Sequence, residues 1–178
     1  MRVVAGKYKG KRLEFPKDEK IRPTADMVKQ ALFSSLFNVE GLAFLDLFCG
    51  CGGIGIEALS RGAKLVHFVD KSSKSILYTK QNLVGMETNY KLFKCDFQSF
   101  LKKIDCSYDI IFMDPPYANL EFYHIALNLI FDRKLLNKDG KIIIEHDNTL
   151  IGNFKNYKLL FTKRYGKKYL SYLQPNCF

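Results

Sequence analysis

The sequence predicts an α/β protein in which a mostly parallel sheet is covered by helices on both sides. Three observations predict it. Strand-like runs alternate with helical segments from Leu42 onward, the runs are apolar on both faces, and glycines crowd the turn after the first run. Two last strand-like runs, at 157–163 and 169–173, are joined by five residues. That connection is too short for a crossover helix, so we expect the two runs to pair antiparallel as a hairpin.

The spacing of apolar residues gives the individual elements. Strands are predicted at 43–48, 65–69, 90–93, 109–113 and 141–145, and helices at 54–61, 72–84, 97–103 and 119–131. The helix at 72–84 is indicated by Ile76, Leu77, Lys80 and Leu83. Upstream, Thr24 is a good N-cap for a helix over 25–37.

The first residues predict a basic hairpin. Two short strand-like runs, at 2–5 and 11–15, flank a glycine-bounded loop with Tyr8 at its tip. We expect this hairpin to be an appendage to the core.

Length and composition predict one domain over 1–178. Its 178 residues are 47% apolar and 26% charged, which are ordinary globular values, with an N-terminal extension expected at 1–40 and the core at 41–178. No run reaches the roughly 18 apolar residues of a membrane span, and the start is too basic for a signal peptide, so a cytoplasmic location is expected. The five cysteines show no CxxC spacing, so we expect buried thiols and no metal site.

Positive charge is concentrated at the two ends of the chain. Net charge is +10, from 28 Lys and Arg against 18 Asp and Glu. Residues 1–30 hold nine basic and four acidic side chains, residues 151–178 hold six and none, and residues 31–150 hold 13 and 14. A neutral middle between cationic ends suits an enzyme that acts on nucleic acid, because the phosphates need cationic surfaces beside the reacting centre.

A glycine-rich turn, DLFCGCGGIG at 46–55, follows the first strand-like run. Gly50, Gly52 and Gly55 match the GxGxxG spacing of nucleotide-cofactor loops. Asp70 closes the second strand 20 residues after Gly50, where such proteins carry a ribose-binding carboxylate. Asp46 adds a carboxylate beside the loop. That charge would repel a pyrophosphate and attract a cation, so it favours S-adenosylmethionine, with its sulfonium and ammonium, over NAD.

Two further motifs follow the third and fourth strands, whose carboxyl ends share one edge of the sheet with this turn. After the third strand, Asp96 could accept a hydrogen bond from an adenine amino group, and Phe97 could pack on the ring. After the fourth strand stands DPPY at 114–117. Its prolines stiffen the chain and hold the Asp114 carboxylate and the Pro115 carbonyl as two acceptors, and Tyr117 offers a flat face. Such a set would hold a planar base through its exocyclic amine.

These motifs together resemble known methyltransferases. The Phe48-x-Gly50-x-Gly52 loop with DPPY is similar to the S-adenosylmethionine-dependent enzymes that methylate exocyclic amines of bases. More closely, the chain resembles the RsmD family, which methylates N2 of one guanine in small-subunit ribosomal RNA. The matching segments are RVVAGK at 2–7, KG at 9–10, RPT at 22–24 with Asp26 and Val28, the run 46–63 ending in EALSRGA, DPPY at 114–117 and YG at 165–166. Ala25, Gln30, Cys49 and Cys51 depart from the family pattern.

The resemblance implies a Rossmann-like methyltransferase fold with a mostly parallel seven-stranded sheet and S-adenosylmethionine as cofactor. It also implies contacts to the cofactor from Asp46, Phe48, Gly50, Gly52, Asp70, Asp96 and Phe97. By the same resemblance, Asp114, Pro115 and Tyr117 hold the guanine.

RNA recognition is expected to depend on shape. The core leaves only about 40 residues for recognition, too few for a separate sequence-reading domain. We therefore expect the basic loops to grip folded rRNA, in an assembled or partly assembled 30S particle. The residues concerned are Lys7, Lys9, Lys11, Arg12, Arg22, Lys167 and Lys168. A monomer is expected.

Three other functions stay open at this point. DNA adenine-N6 methyltransferases use the same DPPY chemistry but usually carry a separate target-recognition region. An NAD-dependent oxidoreductase is allowed by GxGxxG and Asp70, although no hydride-site base is evident. An RNA-binding assembly factor without catalysis is disfavoured by the intact Asp114 and the glycines.

Overall fold

The computed structural model describes residues 1–16, 26–116, 120–147 and 154–176. Within these ranges the helices are α1 (Asp26–Leu36), α2 (Gly53–Ser60), α3 (Ser73–Leu83), α4 (Phe97–Lys103) and α5 (Glu121–Asp132). The strands are β1 (Ala43–Leu47), β2 (Leu65–Asp70), β3 (Tyr90–Lys94), β4 (Tyr108–Met113), β5 (Leu136–His146), β6 (Tyr157–Tyr165) and β7 (Lys168–Pro175). The predicted alternation of strands and helices is confirmed.

The strands form a seven-stranded sheet in the order β3-β2-β1-β4-β5-β7-β6. The first five strands pair in parallel, β7 pairs antiparallel with β5, and β6 pairs antiparallel with β7. The Rossmann-like α/β class and the closing hairpin are therefore confirmed. The hairpin folds back so that its second strand enters the sheet, which leaves β6 at the edge. Exposed Lys158, Lys163 and Arg164 on that edge strand disfavour pairing with another sheet.

Strand β5 is longer than the sequence predicts. It begins at Leu136 rather than at 141, because Leu136 pairs with Tyr108 before a register shift returns the strands to the pairing of Ile110 with Lys141. The intervening residues are polar or glycine, so the apolar pattern that marks a buried strand is missing there.

Two apolar cores lie on opposite faces of the sheet. Helices α1, α2 and α3 cover one face, where Phe33 packs on Phe44 with ring centroids 6.2 Å apart. Helices α4 and α5 cover the other face. Helices on both sides were predicted. Because β1, β2, β4 and β5 pair in parallel, their carboxyl ends lie at a common edge of the sheet.

The N-terminal segment forms the predicted hairpin, but the expectation that it is an appendage was wrong. Its arms pair through Val3 N–H to the Lys11 carbonyl and Gly10 N–H to the Val3 carbonyl, each over 2.9 Å. Val3 and Leu13 are buried in the same core as α1 and α2. Their apolar side chains dock the hairpin on the domain.

The hairpin is held by the carboxyl-terminal half of α2. The Glu57 carboxylate accepts the N–H groups of Val4 at 2.7 Å and Ala5 at 2.9 Å. Ser60 ends the helix, and its carbonyl accepts the Lys7 N–H at 2.7 Å. The hairpin thereby satisfies a carbonyl that a helix end leaves without a partner.

Glu57 is also the centre of a buried charge cluster. Its side chain is fully buried, and its oxygens lie 3.9 Å from the Lys29 ammonium and 2.9 Å from the Arg61 guanidinium. Lys29 is itself fully buried and donates to the Arg2 carbonyl. A buried carboxylate is tolerated when it is paired in this way, and the pairing ties α1, α2 and the hairpin together.

We expect Gly6→Ala to detach the hairpin from α2. Gly6 has φ of 84°, and a Cβ there would lie 1.8 Å from the Ser60 carbonyl oxygen. The matched control is Gly10→Ala, because Gly10 has φ of 88° but open space around its Cβ position. The control should be destabilised only by the cost of a left-handed alanine, which is about 1–2 kcal/mol.

Urea unfolding and amide hydrogen exchange over residues 3–13 would measure both effects. Gly6→Ala should lose clearly more stability and more protection than Gly10→Ala. Equal losses in the two variants would contradict tight docking.

Candidate functional site

The glycine turn between β1 and α2 is a compact loop with three left-handed residues. They are Phe48, Gly50 and Gly52, with φ of 71°, 57° and 81°. A left-handed conformation costs a residue with a side chain about 1–2 kcal/mol. Phe48 is held in it because the N–H groups of Phe48 and Cys49 both donate to the Val69 carbonyl, over 2.9 and 3.0 Å. The loop is thereby fixed against the carboxyl end of β2.

Two carboxylates hold the backbone of this loop. Buried Asp46, on β1, accepts the Gly55 N–H at 2.8 Å. Asp70, at the end of β2, accepts the Gly50 N–H at 2.9 Å and the Ser72 N–H at 2.8 Å. Both residues therefore lie at the loop, as the sequence predicts.

Two polar residues of α3 that were not predicted from the sequence also hold the loop. Thr79 donates to the Gly50 carbonyl at 2.9 Å, and Asn82 donates to the Cys51 carbonyl at 3.0 Å. Asn82 also exchanges two hydrogen bonds with the backbone of Glu14, of 2.7 and 2.8 Å, so it joins the loop to the hairpin.

The buried face of α3 is partly different from the predicted one. Leu77, assigned to the apolar stripe, is 54% exposed, whereas Ser75, Thr79 and Asn82 are buried. Their spacing of four and three residues is a helical period, and it is the signal that could have identified them.

The three glycines of the motif have different surroundings. A Cβ at Gly50 would meet nothing within 4 Å, so this position faces open space that a ligand could occupy. A Cβ at Gly52 would lie 2.8 Å from the Thr79 methyl group, and one at Gly55 would lie 2.3 Å from the Phe68 ring. Gly55 therefore serves the packing of α2 on the sheet, as the third glycine of such loops does.

The carboxylates of the loop favour a cationic ligand. Burial raises the pKa of Asp46 to about 7, against the Gly55 hydrogen bond, and the Asp70 charge adds to the rise. Burial also raises the pKa of Asp70, opposed by its hydrogen bonds to N–H groups of the backbone. A positive charge placed nearby would stabilise both carboxylates, so the loop fits a cofactor with a sulfonium and an ammonium.

Aromatic rings line the loop on the side of α4 and α5. The Phe48 and Phe97 rings are 5.0 Å apart, and Phe122 packs 5.1 Å from Phe97. Phe97 is buried in this cluster, so its ring acts as core. Asp96 is exposed and caps α4, since its Oδ1 accepts N–H groups of the first turn at 2.9 and 3.3 Å.

The segment after β4 carries the predicted acceptor motif. Asp114 is half-buried, Pro115 is buried and Pro116 is exposed. Tyr117 lies outside the described residues. Because β4 pairs with β1, Asp114 emerges at the same edge of the sheet as Asp46.

Burial and charged neighbours together set the pKa of the Asp114 carboxyl. Its pKa is raised well above the ordinary value by burial and then by the charge of Glu145; the Lys168 ammonium lowers it, and Asp46 raises it further. Lys168 was predicted to bind RNA from an exposed loop, but it donates to the buried Glu145 carboxylate. The sequence shows a run of lysines there and gives no sign of this inward partner.

The other residues predicted to bind RNA differ in exposure. Lys7, Lys9, Arg12 and Lys167 are exposed. Lys11 is half-buried, and its ammonium donates to the Val84 carbonyl at 2.7 Å. Arg22 lies outside the described residues.

The described ranges hold neither a metal-binding cluster nor a membrane-spanning helix. Groups of three or more His, Cys, Asp or Glu side chains able to hold a metal ion are absent there. Cys49 and Cys51 are buried thiols, as predicted, Cys95 and Cys106 are half-buried thiols, and Cys177 lies outside the described residues. None of the helices found in the same ranges combines the length and apolar character needed to span a membrane.

This chain is similar to known proteins over most of its length. A family described as "Conserved hypothetical protein 95" matches residues 1–174. Ribosomal RNA small subunit methyltransferase D of Buchnera aphidicola subsp. Baizongia pistaciae is 32% identical over 84% of this chain and 78% of its own length. The Escherichia coli K12 protein of the same name is 30% identical over 83% of this chain and 75% of its own length.

A solved structure agrees with these matches. It is titled "Putative methyltransferase yhhF from Escherichia coli" and has a TM-score of 0.88 at 26% identity, over 100% of this chain and 99% of that one.

We expect Asp46→Asn to flatten the pH dependence of stability between pH 3.8 and about 7. The pKa of the folded state is raised to about 7, so the folded protein holds a proton that the unfolded chain releases. This stabilisation is complete below pH 3.8 and is lost as the pH rises through about 7. Urea unfolding across this pH range measures it.

Asp139→Asn, which removes an exposed carboxylate, is the control for the loss of one charge. A slope in Asp46→Asn equal to that of the unchanged protein would refute the assignment.

Proposed function

Because this chain belongs to the family of ribosomal RNA small subunit methyltransferase D, we propose that it methylates the exocyclic N2 amine of a guanine in small-subunit rRNA. One structural observation supports this function in addition to family membership. A half-buried Asp114, followed by two prolines, lies at the end of β4, directly beside the strand that leads into the glycine loop.

S-adenosylmethionine is the proposed cofactor, and it would supply an electrophilic methyl group. Asp46, Asp70, Phe48, Gly50 and Gly52 are the residues that would hold it, with Asp96 and Phe97 at the border of the same edge. Open space at Gly50 and two carboxylates with raised pKa values support this assignment. NAD fits less well, because its pyrophosphate would meet these carboxylates.

The guanine amine is a poor nucleophile until its hydrogens are engaged, because its lone pair is delocalised into the ring. The Asp114 carboxylate would accept one hydrogen and the Pro115 carbonyl the other, which directs the lone pair out of the ring plane. Tyr117 would stack on the base after it leaves its helix, at a cost of a few kcal/mol in unstacking. Positioning of this kind supplies most of the rate.

Asp114 has a second proposed role. After methyl transfer the amine carries an extra proton that it sheds readily, so the adjacent Asp114 carboxylate can accept this proton without being a strong base. Asp114 would therefore orient the amine first and receive its proton afterwards.

The exposed cations of the two basic loops support RNA as the substrate. Lys7, Lys9, Arg12 and Lys167 are exposed, and the hairpin that carries the first three is docked on α2. Cations on a docked surface favour phosphates held in a fixed arrangement, as in folded RNA.

We expect Asp114→Ala to lose methyl transfer while it keeps cofactor affinity. The variant lacks one of the two acceptors for the amine, which should lower kcat by roughly 100-fold or more. Transfer of a labelled methyl group to small subunits measures turnover, and mass spectrometry of the product locates the modified base.

Thermal shift with S-adenosylhomocysteine measures cofactor affinity, with NAD as the control ligand. Stabilisation by S-adenosylhomocysteine and not by NAD is expected in both proteins. Near-normal turnover of Asp114→Ala would contradict the proposed role of Asp114. Methylation of adenine in DNA would instead favour a DNA adenine-N6 methyltransferase.

We also expect isolated small subunits to be methylated faster than naked rRNA at equal concentration. Ribosomal proteins hold the RNA in the arrangement that a docked cationic surface can contact. Initial rates on both substrates, measured at two salt concentrations, decide this. Equal rates would defeat the requirement for an assembled particle.

A further inference from the structure

Four charged side chains form a row across adjacent strands on one face of the sheet. Phe44 of β1, Phe112 of β4, Ile143 of β5 and Leu170 of β7 all lie in the core under α1 and α2. Side chains two residues apart along a strand share a face. A charged residue stands two positions from each of them and therefore lies on the same face. These charged residues are, in the same order, Asp46, Asp114, Glu145 and Lys168.

The row lies at the carboxyl edge of the parallel strands. Asp46 pairs in register with Phe112, and Met113 pairs with Ile144. Glu145 follows Ile144 on β5, and Asp114 is the first residue after β4, so the two lie side by side where the paired strands end. The row therefore runs from the cofactor loop, through the proposed amine acceptor, to the closing hairpin.

Lys168 is the cation of this row, and Glu145 holds it. Glu145 is fully buried, and the Lys168 side chain is 26% exposed. The ends of β5 and β7 are fixed around them, since His146 stacks on Tyr169 with centroids 5.6 Å apart and bonds to Ser171 Oγ at 2.8 Å. The ammonium is thus brought to the acidic edge by the hairpin strand that entered the sheet.

The charge balance of the row is uneven. Three carboxylates, of Asp46, Asp114 and Glu145, share one ammonium among the four members of the row. Asp147, which follows β5, adds a carboxylate close enough to act on Tyr123 together with Asp114 and Glu145. Tyr123 of α5 adds only a phenol, which donates to the Glu145 carbonyl at 2.9 Å. Lys29 of α1 and Glu57 of α2 pair with each other.

We propose that Lys168 is a positioning residue for Asp114: its ammonium, held in place by Glu145, offsets the Glu145 charge and keeps the Asp114 carboxylate charged and able to accept the hydrogens of the target amine. This inference rests on the proposed function of Asp114. It gives Lys168 an inward role that differs from phosphate binding by a surface lysine. The Lys168 ammonium lowers the pKa of Asp114 and the Glu145 charge raises it, in agreement with the geometry.

The experiment is the pH dependence of kcat at saturating cofactor and small subunits. Lys168→Met removes the cation, so the acid limb of the profile should move to higher pH by about one unit or more. Glu145→Gln removes a repelling charge, so the limb should move to lower pH. The double variant restores the charge balance, and its limb should return close to that of the unchanged protein.

Lys168→Met leaves a buried carboxylate without its cation and could unfold. The double variant avoids this problem and still tests the sign of the effect. Lys168→Arg should restore the limb, because a guanidinium keeps the charge.

Lys167→Met is the matched control. It removes the same charge from the adjacent position, where the side chain is exposed. It should raise KM for small subunits and leave the acid limb unchanged. If Lys168→Met behaves in the same way, Lys168 is a phosphate contact and the proposal is overturned. A limb that stays shifted in the double variant would also overturn it.

A readout without turnover separates this inference from the proposed function. Carbon-13 NMR of labelled aspartate carboxyls follows Asp114 titration directly, with Asp114→Asn to assign the signal. If the titration midpoints move as expected but the unchanged protein methylates no rRNA, the proposed function fails and the charge coupling stands. If the midpoints do not move, the coupling fails whatever the activity.

Discussion

Helix α2 lies directly on the sheet because Gly55 leaves no room for a side chain, and the functional edge of the molecule depends on this contact. A Cβ at Gly55 would lie 2.3 Å from the Phe68 ring. The approach brings the Gly55 N–H to buried Asp46, which accepts it at 2.8 Å. The start of the helix is therefore fixed to both β1 and β2, and this fixes the position where the glycine loop must end.

The two ends of α2 serve different parts of the protein. Its amino end follows the glycine loop, where the open space at Gly50 lies. Its carboxyl end holds the N-terminal hairpin through Glu57 and Ser60. Asn82 of α3 joins the same two parts, since it bonds to both Cys51 and Glu14. The loop proposed for the cofactor and the hairpin proposed for RNA are thus supported by shared side chains.

Electrostatics give the site its chemical preference. Parallel strands bring Asp46, Asp70 and Asp114 to one edge, and burial raises the pKa of all three carboxyls. Such an edge favours cations and hydrogen-bond donors over phosphates. A sulfonium cofactor and an exocyclic amine meet both preferences. The phosphates of the proposed RNA substrate would instead contact the exposed cations of the two basic loops.

Local patterns in the sequence determined the strand and helix order, the glycine turn and the acceptor motif after β4, because apolar period, glycine spacing and proline act over a few residues. The tertiary structure alone decided which polar groups meet. Glu57 lies 52 and 53 positions from the backbone groups it binds, and Asn82 lies 68 from Glu14. From the sequence, Lys168 is expected to be a surface lysine. In the structure β7 pairs with β5, and the Lys168 ammonium contacts Glu145. Partners so distant in sequence leave no local period, so only the folded sheet and its helices reveal them.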